Sequence, residues 1–219
     1  MERHRLRIRF RKTDDLRQIS HRDLARVWER LFRRSRLALA MSQGFHPHPK
    51  ISFPSALAVG IEGRAEVVEV TLTENVEASA ALERLVQHAP PGLVIENVTA
   101  LEDSHPKAAV ERMTYEIEIP AERQGEVASA VQQVLACEHV PFVREGRAQP
   151  LDVRAALVAC QLEGGRLRFS LRDSGEAQVR PREILAVLGV DDLEHQGSWL
   201  TRTEVVLEDE SPAKQGAAR

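Results

Sequence analysis

Residues 3–12, Arg-His-Arg-Leu-Arg-Ile-Arg-Phe-Arg-Lys, set an arginine at every second position, with Leu6, Ile8 and Phe10 between them. A period of two puts Leu6, Ile8 and Phe10 on one face and Arg5, Arg7, Arg9 and Arg11 on the other. The chain therefore opens with a half-buried strand that carries an arginine-lined face. The period then changes. Ser20 is placed to cap a helix, and Asp23 completes something close to a capping box. Within that helix Leu24, Val27, Trp28, Leu31 and Phe32 follow the spacing of a core stripe, while Arg22, Arg26, Arg30 and Arg33 share a different face. The helix is expected to end near Ser35.

Further on, residues 37–41 read as a strand. Residues 42–50, Ser-Gln-Gly-Phe-His-Pro-His-Pro-Lys, contain Gly44, Pro47 and Pro49 and must form a loop, partly extended by its prolines. An apolar pattern resumes at 51–53 and 57–61, and residues 65–72 form a strand rich in β-formers. A helix over 79–88 stops at Pro90-Pro91-Gly92, and a strand follows over 93–99. The order β-α-β-β-α-β is the split βαβ, or ferredoxin-like, arrangement. A polar stretch at 102–107 marks a boundary. Beyond it come a strand (113–119), a helix (121–137), a strand (140–144), a hairpin (155–162 and 166–171) turning at Gly164-Gly165, a helix opened by Pro181, and a last strand (201–207). The expected fold is α+β, with two tandem ferredoxin-like units over 1–104 and 108–208, antiparallel sheets, and a disordered tail over 209–219.

Charge separates the two parts. The net charge is −3, yet residues 1–50 hold 14 Lys and Arg against 5 Asp and Glu. A one-signed surface steers oppositely signed ligands. Three readings of this basic segment stand side by side: nucleic acid or another phosphate-rich ligand, an acidic protein partner, or a solvated face. Arginine pairs bidentately with phosphate, which favours the first. Aromatic residues are few, so base stacking rests on Phe45 or Phe53 alone, and this speaks against sequence-specific readout. In the loop, Gly44 permits close backbone approach, His46 and His48 offer imidazoles, and Ser42, Gln43 and Lys50 add polar groups. The opposing view is a rigid turn with Phe45 packed inward. His21, in the first turn of the helix, is placed to meet this loop if the chain folds back. Three imidazoles suffice for zinc, but a proline-rich turn splays His46 and His48 apart, so no metal is expected.

No stretch is apolar enough to cross a bilayer, and the start does not read as a signal peptide. Cys137 and Cys160 cannot build a disulfide framework and are expected as small core residues, so a cytoplasmic setting is expected. No glycine-rich dinucleotide or P-loop fingerprint is present.

The run Ile19-Ser-His-Arg-Asp-Leu24, then Arg33-Arg34, then residues 42–53, then Leu57 and Gly60, resembles the radical-SAM-linked domain family of bacterial proteins. Members stand alone or are fused behind a radical S-adenosylmethionine enzyme. The resemblance implies a radical SAM partner and an RNA-related role. This chain lacks the C-x-x-x-C-x-x-C cluster ligands, so S-adenosylmethionine and the iron–sulfur cluster are expected in the partner and no cofactor in this chain. The expected function is an accessory that presents RNA or a ribonucleoprotein for modification. Its ligand-binding residues would be His21, Arg22, Arg26, Arg30, Ser42, Gln43, Gly44, Phe45, His46, His48 and Lys50, with Arg7 and Arg9 adding phosphate contacts. Alternatives are a histidine-dependent RNA-processing enzyme, with His21 or His46 as general acid–base, and a protein–protein adaptor.

Overall fold

A computed structural model describes residues 4–146, 149–173 and 179–211. The chain is mixed α+β and divides into two units, Met1–Ala109 and Val110–Arg219. Among the described residues no helix is long and apolar enough to cross a membrane.

The first unit runs β1 (His4–Lys12), α1 (His21–Arg34), β2 (Ile51–Ser52), β3 (Glu62–Leu72), α2 (Ala78–His88) and β4 (Leu93–Leu101). Its strands lie in the order β4-β1-β3-β2, and all these pairings are antiparallel. The alternation in β1 does what it implies. Leu6 and Ile8 pair with Val70 and Val68, and these side chains with Phe10 form the core face. Onto it α1 lays Leu24, Trp28, Leu31 and Phe32. Trp28 meets Phe10 edge-on at 5.0 Å and Phe32 at 5.3 Å. Each such side chain contributes roughly 1.5–3 kcal/mol on burial, so this stripe fixes which face of α1 looks outward.

Local signals set the ends of α1. The Ser20 Oγ accepts the Asp23 backbone N–H at 3.2 Å and its hydroxyl donates to Asp23 Oδ2 at 2.7 Å. An aspartate is shorter than the glutamate of a full capping box, and here its carboxylate takes the hydroxyl. That bond, with help from Arg26 and against some desolvation, holds the Asp23 carboxyl below its usual range. At the other end the Leu37 N–H donates to Phe32 O (3.0 Å) and the Arg36 N–H to Arg33 O (3.2 Å). Arg36 has φ 53°, a left-handed position that usually goes to glycine and costs an arginine roughly 1–2 kcal/mol.

One expectation for β1 fails. Although its pairing with β3 shifts register between Phe10 and Lys12, Lys12 keeps to the face of Leu6, Ile8 and Phe10. It is 0% exposed, and its ammonium donates to the carbonyls of Ile19 (3.1 Å) and Arg17 (3.4 Å), just ahead of α1. The opposite face is not the expected open row of arginines. Arg7 is 6% exposed and donates from Nε and Nη2 to Glu69 Oε1 at 3.0 and 2.9 Å. Arg5 pairs with Glu69 Oε2 at 3.0 Å and donates to the carbonyls of His105 and Pro106. Arg11 pairs with Glu96. The reading of Arg7 as a phosphate ligand is therefore withdrawn: a buried carboxylate already neutralises it.

The second unit runs β5 (Val110–Glu118), α3 (Gln124–Ala136), β6 (Pro141–Phe142), β7 (Leu151–Asp152), α4 (Val153–Ala156), β8 (Leu157–Glu163), β9 (Arg166–Arg172), α5 (Pro181–Val187) and β10 (Thr201–Leu207). Its sheet order is β10-β5-β9-β8, again antiparallel. The β8–β9 hairpin turns at Gly164-Gly165, whose φ values of 56° and 76° suit a tight hairpin turn. The strand expected over 140–144 shrinks to Pro141–Phe142, because Arg144 leaves to grip the buried Glu183 with Nε–Oε1 at 2.6 Å. The strand expected from residue 155 starts at Leu157, because Asp152 caps the short α4. Cys160 is buried as expected, but Cys137 is exposed just past α3. In the expected tail, residues 209–211 continue a turn in which Ser211 is buried, and residues 212–219 lie outside the described residues.

Candidate functional site

The segment after α1 holds the most unusual local geometry of the first unit. Residues 38–40 run along β3: the Ala40 N–H donates to Thr71 O (2.8 Å), the Thr73 N–H donates to Ala38 O (2.9 Å), and Leu39 bridges Leu72. The chain then leaves β3 and returns to the same place, where the Thr71 N–H donates to Lys50 O at 3.0 Å. Ile51 and Ser52 continue opposite Val70 and Glu69. Ala40 and Lys50 thus share the two hydrogen bonds that one residue would make opposite Thr71. Leu39, Ile51 and Phe53 all pack against the core cluster, as if alternation had never been interrupted. The strand expected over 37–41 and the pattern resuming at Ile51 are one strand, with residues 41–49 extruded from it.

The extruded loop has a neck and a tip. At the neck the Lys50 N–H donates to Ala40 O (2.8 Å), Met41 bridges Pro49, the Ser42 N–H donates to His48 O (2.8 Å), and the His48 N–H donates to Ser42 Oγ (2.9 Å). Ser42, His48 and Lys50 therefore have backbone roles in closing the loop. Gln43, Gly44, Phe45, His46 and Pro47 form the exposed tip. Gly44 has φ 124°, and a Cβ added there would meet nothing within 4 Å. Glycine is required by its backbone conformation, not by crowding inside the molecule. Phe45 is 102% exposed. The inward-packed Phe45 of a purely structural turn is absent.

His21 does not join this tip. Its ring lies edge-on against Phe53 at 5.0 Å, so it meets the far end of the segment, past β2. Phe53 is thereby engaged by His21 and by the core. Among the described residues no group of three or more His, Cys, Asp or Glu side chains is placed to hold a metal ion. Cys160 carries no nucleophilic prospect, because burial pushes its thiol up to about 11.

The arginine stripe of α1 does face outward. Arg22, Arg26, Arg30 and Arg33 are all exposed, as are Arg34 and Arg36. Arg26 pairs with Asp23 at 3.2 Å but stays 71% exposed. Among the described residues Arg22, Arg30, Arg33, Arg34 and Arg36 have no ion-pair partner. From Arg30 to Ile61 the chain contains no Asp or Glu, so the outer half of this helix and the whole loop lack carboxylates of their own. Arg33, Arg34 and Arg36 were not among the expected site residues. The sequence signal was available: a helix that ends Arg-Arg-Ser-Arg has a cation where a glycine would close it best.

No curated protein matches the chain. Among solved structures, an unknown protein from Galdieria sulphuraria aligns with a TM-score of 0.31 and 11% identity over 94% of this chain and 99% of that one. The small subunit of acetolactate synthase from Thermotoga maritima gives 0.26 and 12%, over 94% and 96%. A microcompartment protein from Desulfitobacterium hafniense DCB gives 0.22 and 8%, over 98% and 99%. At these TM-scores none of the three bears on fold or function. A family model described as an uncharacterized protein conserved in bacteria (DUF2344) matches residues 5–181, a span that takes in α1, the extruded loop and most of the second unit, and the chain belongs to that family.

Proposed function

We propose that this chain binds RNA, or a ribonucleoprotein, through the arginine stripe of α1 and the extruded loop. The observation that carries this reading is the set of outward arginines, Arg22, Arg30 and Arg33, that have no ion-pair partner among the described residues. Cations left in this state lose little on meeting a phosphate, whereas Arg7 would have to abandon Glu69. We also read each unit as a ferredoxin-like split βαβ; in support, β4-β1-β3-β2 and β10-β5-β9-β8 run through the same sequence of fourth, first, third and second strand. The RNA would be presented to a radical SAM enzyme that carries the S-adenosylmethionine and the iron–sulfur cluster. In support of that partner, the family-like signature over residues 19–60 contains the cap, the neck and the tip described above.

The test is a titration of the full chain with a structured RNA at several salt concentrations. Affinity should fall as salt rises, because each phosphate contact releases counterions. Arg22→Glu with Arg30→Glu should weaken binding by at least roughly tenfold, since two contacts become repulsions. A flat salt response, or equal affinity of the two proteins, removes the nucleic-acid reading and leaves the adaptor.

A further inference from the structure

We infer that the loop tip takes an unpaired nucleobase, stacked on Phe45, so that the RNA this protein binds is single-stranded where it meets the loop. This inference rests on the RNA reading above and adds the form of the RNA to it.

An aromatic ring that touches nothing of its own protein is an unsatisfied surface. Phe45 is fully exposed, and exposure of a ring this size forgoes burial that Phe10 and Phe32 obtain in full. The loop that carries the ring is tied at its base: bonds at Ser42–His48 and Lys50–Ala40 close the neck, those of Ala40 and Lys50 with Thr71 anchor it to β3, and two prolines stiffen its returning limb. Flanking groups set the chemistry of what can approach. His46 and His48 are exposed in the same loop, and no carboxylate occurs in the sequence between Arg30 and Ile61 to repel a phosphate chain. Arg36 lies six residues before Ser42 in the sequence, so by chain length its Cα is no more than about 21 Å from the loop neck.

An exposed π-face and unpaired cations within one unit are the groups that hold a single strand: phosphates go to the cations and a base to the ring. Duplex RNA does not present base faces, because its bases are stacked within the helix. Phe53, the other aromatic residue of the segment, is committed to His21 and the core, which leaves the stacking role to Phe45.

The experiment compares the full chain with Phe45→Ala and Phe45→Trp. The probes are an oligoadenylate of about 12 nucleotides, a duplex RNA of the same length and inorganic polyphosphate. Substitution at a side chain without contacts should leave the circular dichroism spectrum and thermal midpoint unchanged. Phe45→Ala should weaken the oligoadenylate about tenfold and leave duplex and polyphosphate binding as they were. Phe45→Trp should retain affinity, and its emission should be quenched by the oligoadenylate but not by polyphosphate. If wild type binds all three probes and Phe45→Ala binds the oligoadenylate equally well, the stacking inference is overturned while phosphate binding stands. Such a protein would use its ring on a protein partner. If wild type binds none of the probes, the RNA reading itself has failed, and this inference with it.

Discussion

Two rows of arginine lie within the first forty residues, and they do different work. The row on β1 belongs to the sheet: Arg7 is buried against Glu69, Arg5 shares that carboxylate, and Arg11 meets Glu96. The row on α1 belongs to the surface, and most of its members lack a carboxylate among the described residues. By charge count the rows are equivalent. What separates them is the neighbouring strand, because β3 brings Glu69 beside Arg7, whereas among the described residues the one carboxylate paired with the α1 row is the exposed Asp23 at Arg26. Net charge on a segment therefore measures potential ligands only after internal pairs are removed, and here that leaves the helix.

The sharpest way to break this contrast is Glu69→Ala. It leaves Arg7 buried without its counter-charge and should cost about 3–5 kcal/mol, read from the midpoint of a urea transition. Arg22→Glu with Arg30→Glu should move the same midpoint by no more than about 0.5 kcal/mol. Equal effects would mean that the two rows are not distinct.

The contrast extends to the second unit, where Arg144 is another structural arginine. Burial pushes the Glu183 carboxyl up, but the Arg144 guanidinium and the Arg180 backbone N–H outweigh it, and the group titrates below its ordinary range. A carboxyl lowered by folding stabilises above its unfolded value and loses that contribution as pH falls through its folded value. Glu183→Gln should therefore cost roughly 2 kcal/mol at pH 7. The gap from wild type should close as pH falls below the ordinary glutamate range, and a gap that stays constant into acid would contradict the assignment. The smallest effect belongs to the start of α1. Ser20→Ala removes the cap and should cost about 1 kcal/mol, and should leave the salt-dependent RNA binding proposed above intact, since the arginine stripe begins beyond it.

Legibility followed the range of the forces involved. The period of β1, the core stripe of α1 and the Ser20 cap are local, and each could be read directly. Glu69 lies 62 residues from Arg7, so which arginines are paired was not legible. The even-numbered face of β1 includes Lys12, but that the carbonyls of Arg17 and Ile19 would receive its ammonium was not legible within the strand. The loop was legible as a loop from its glycine and prolines. That the chain leaves and rejoins one strand at Thr71 was not, because the evidence for it sits on β3.

That departure and return makes the loop a graft. If Ala40 were joined directly to Ile51, the alternation and the pairing with β3 would continue without a residue changing face. The native chain instead closes an excursion of about ten residues, an entropic burden of roughly 2 kcal/mol before any contact within the loop offsets it. Nothing in the pairing of the strand beneath therefore dictates how long the excursion is or which residues form its tip.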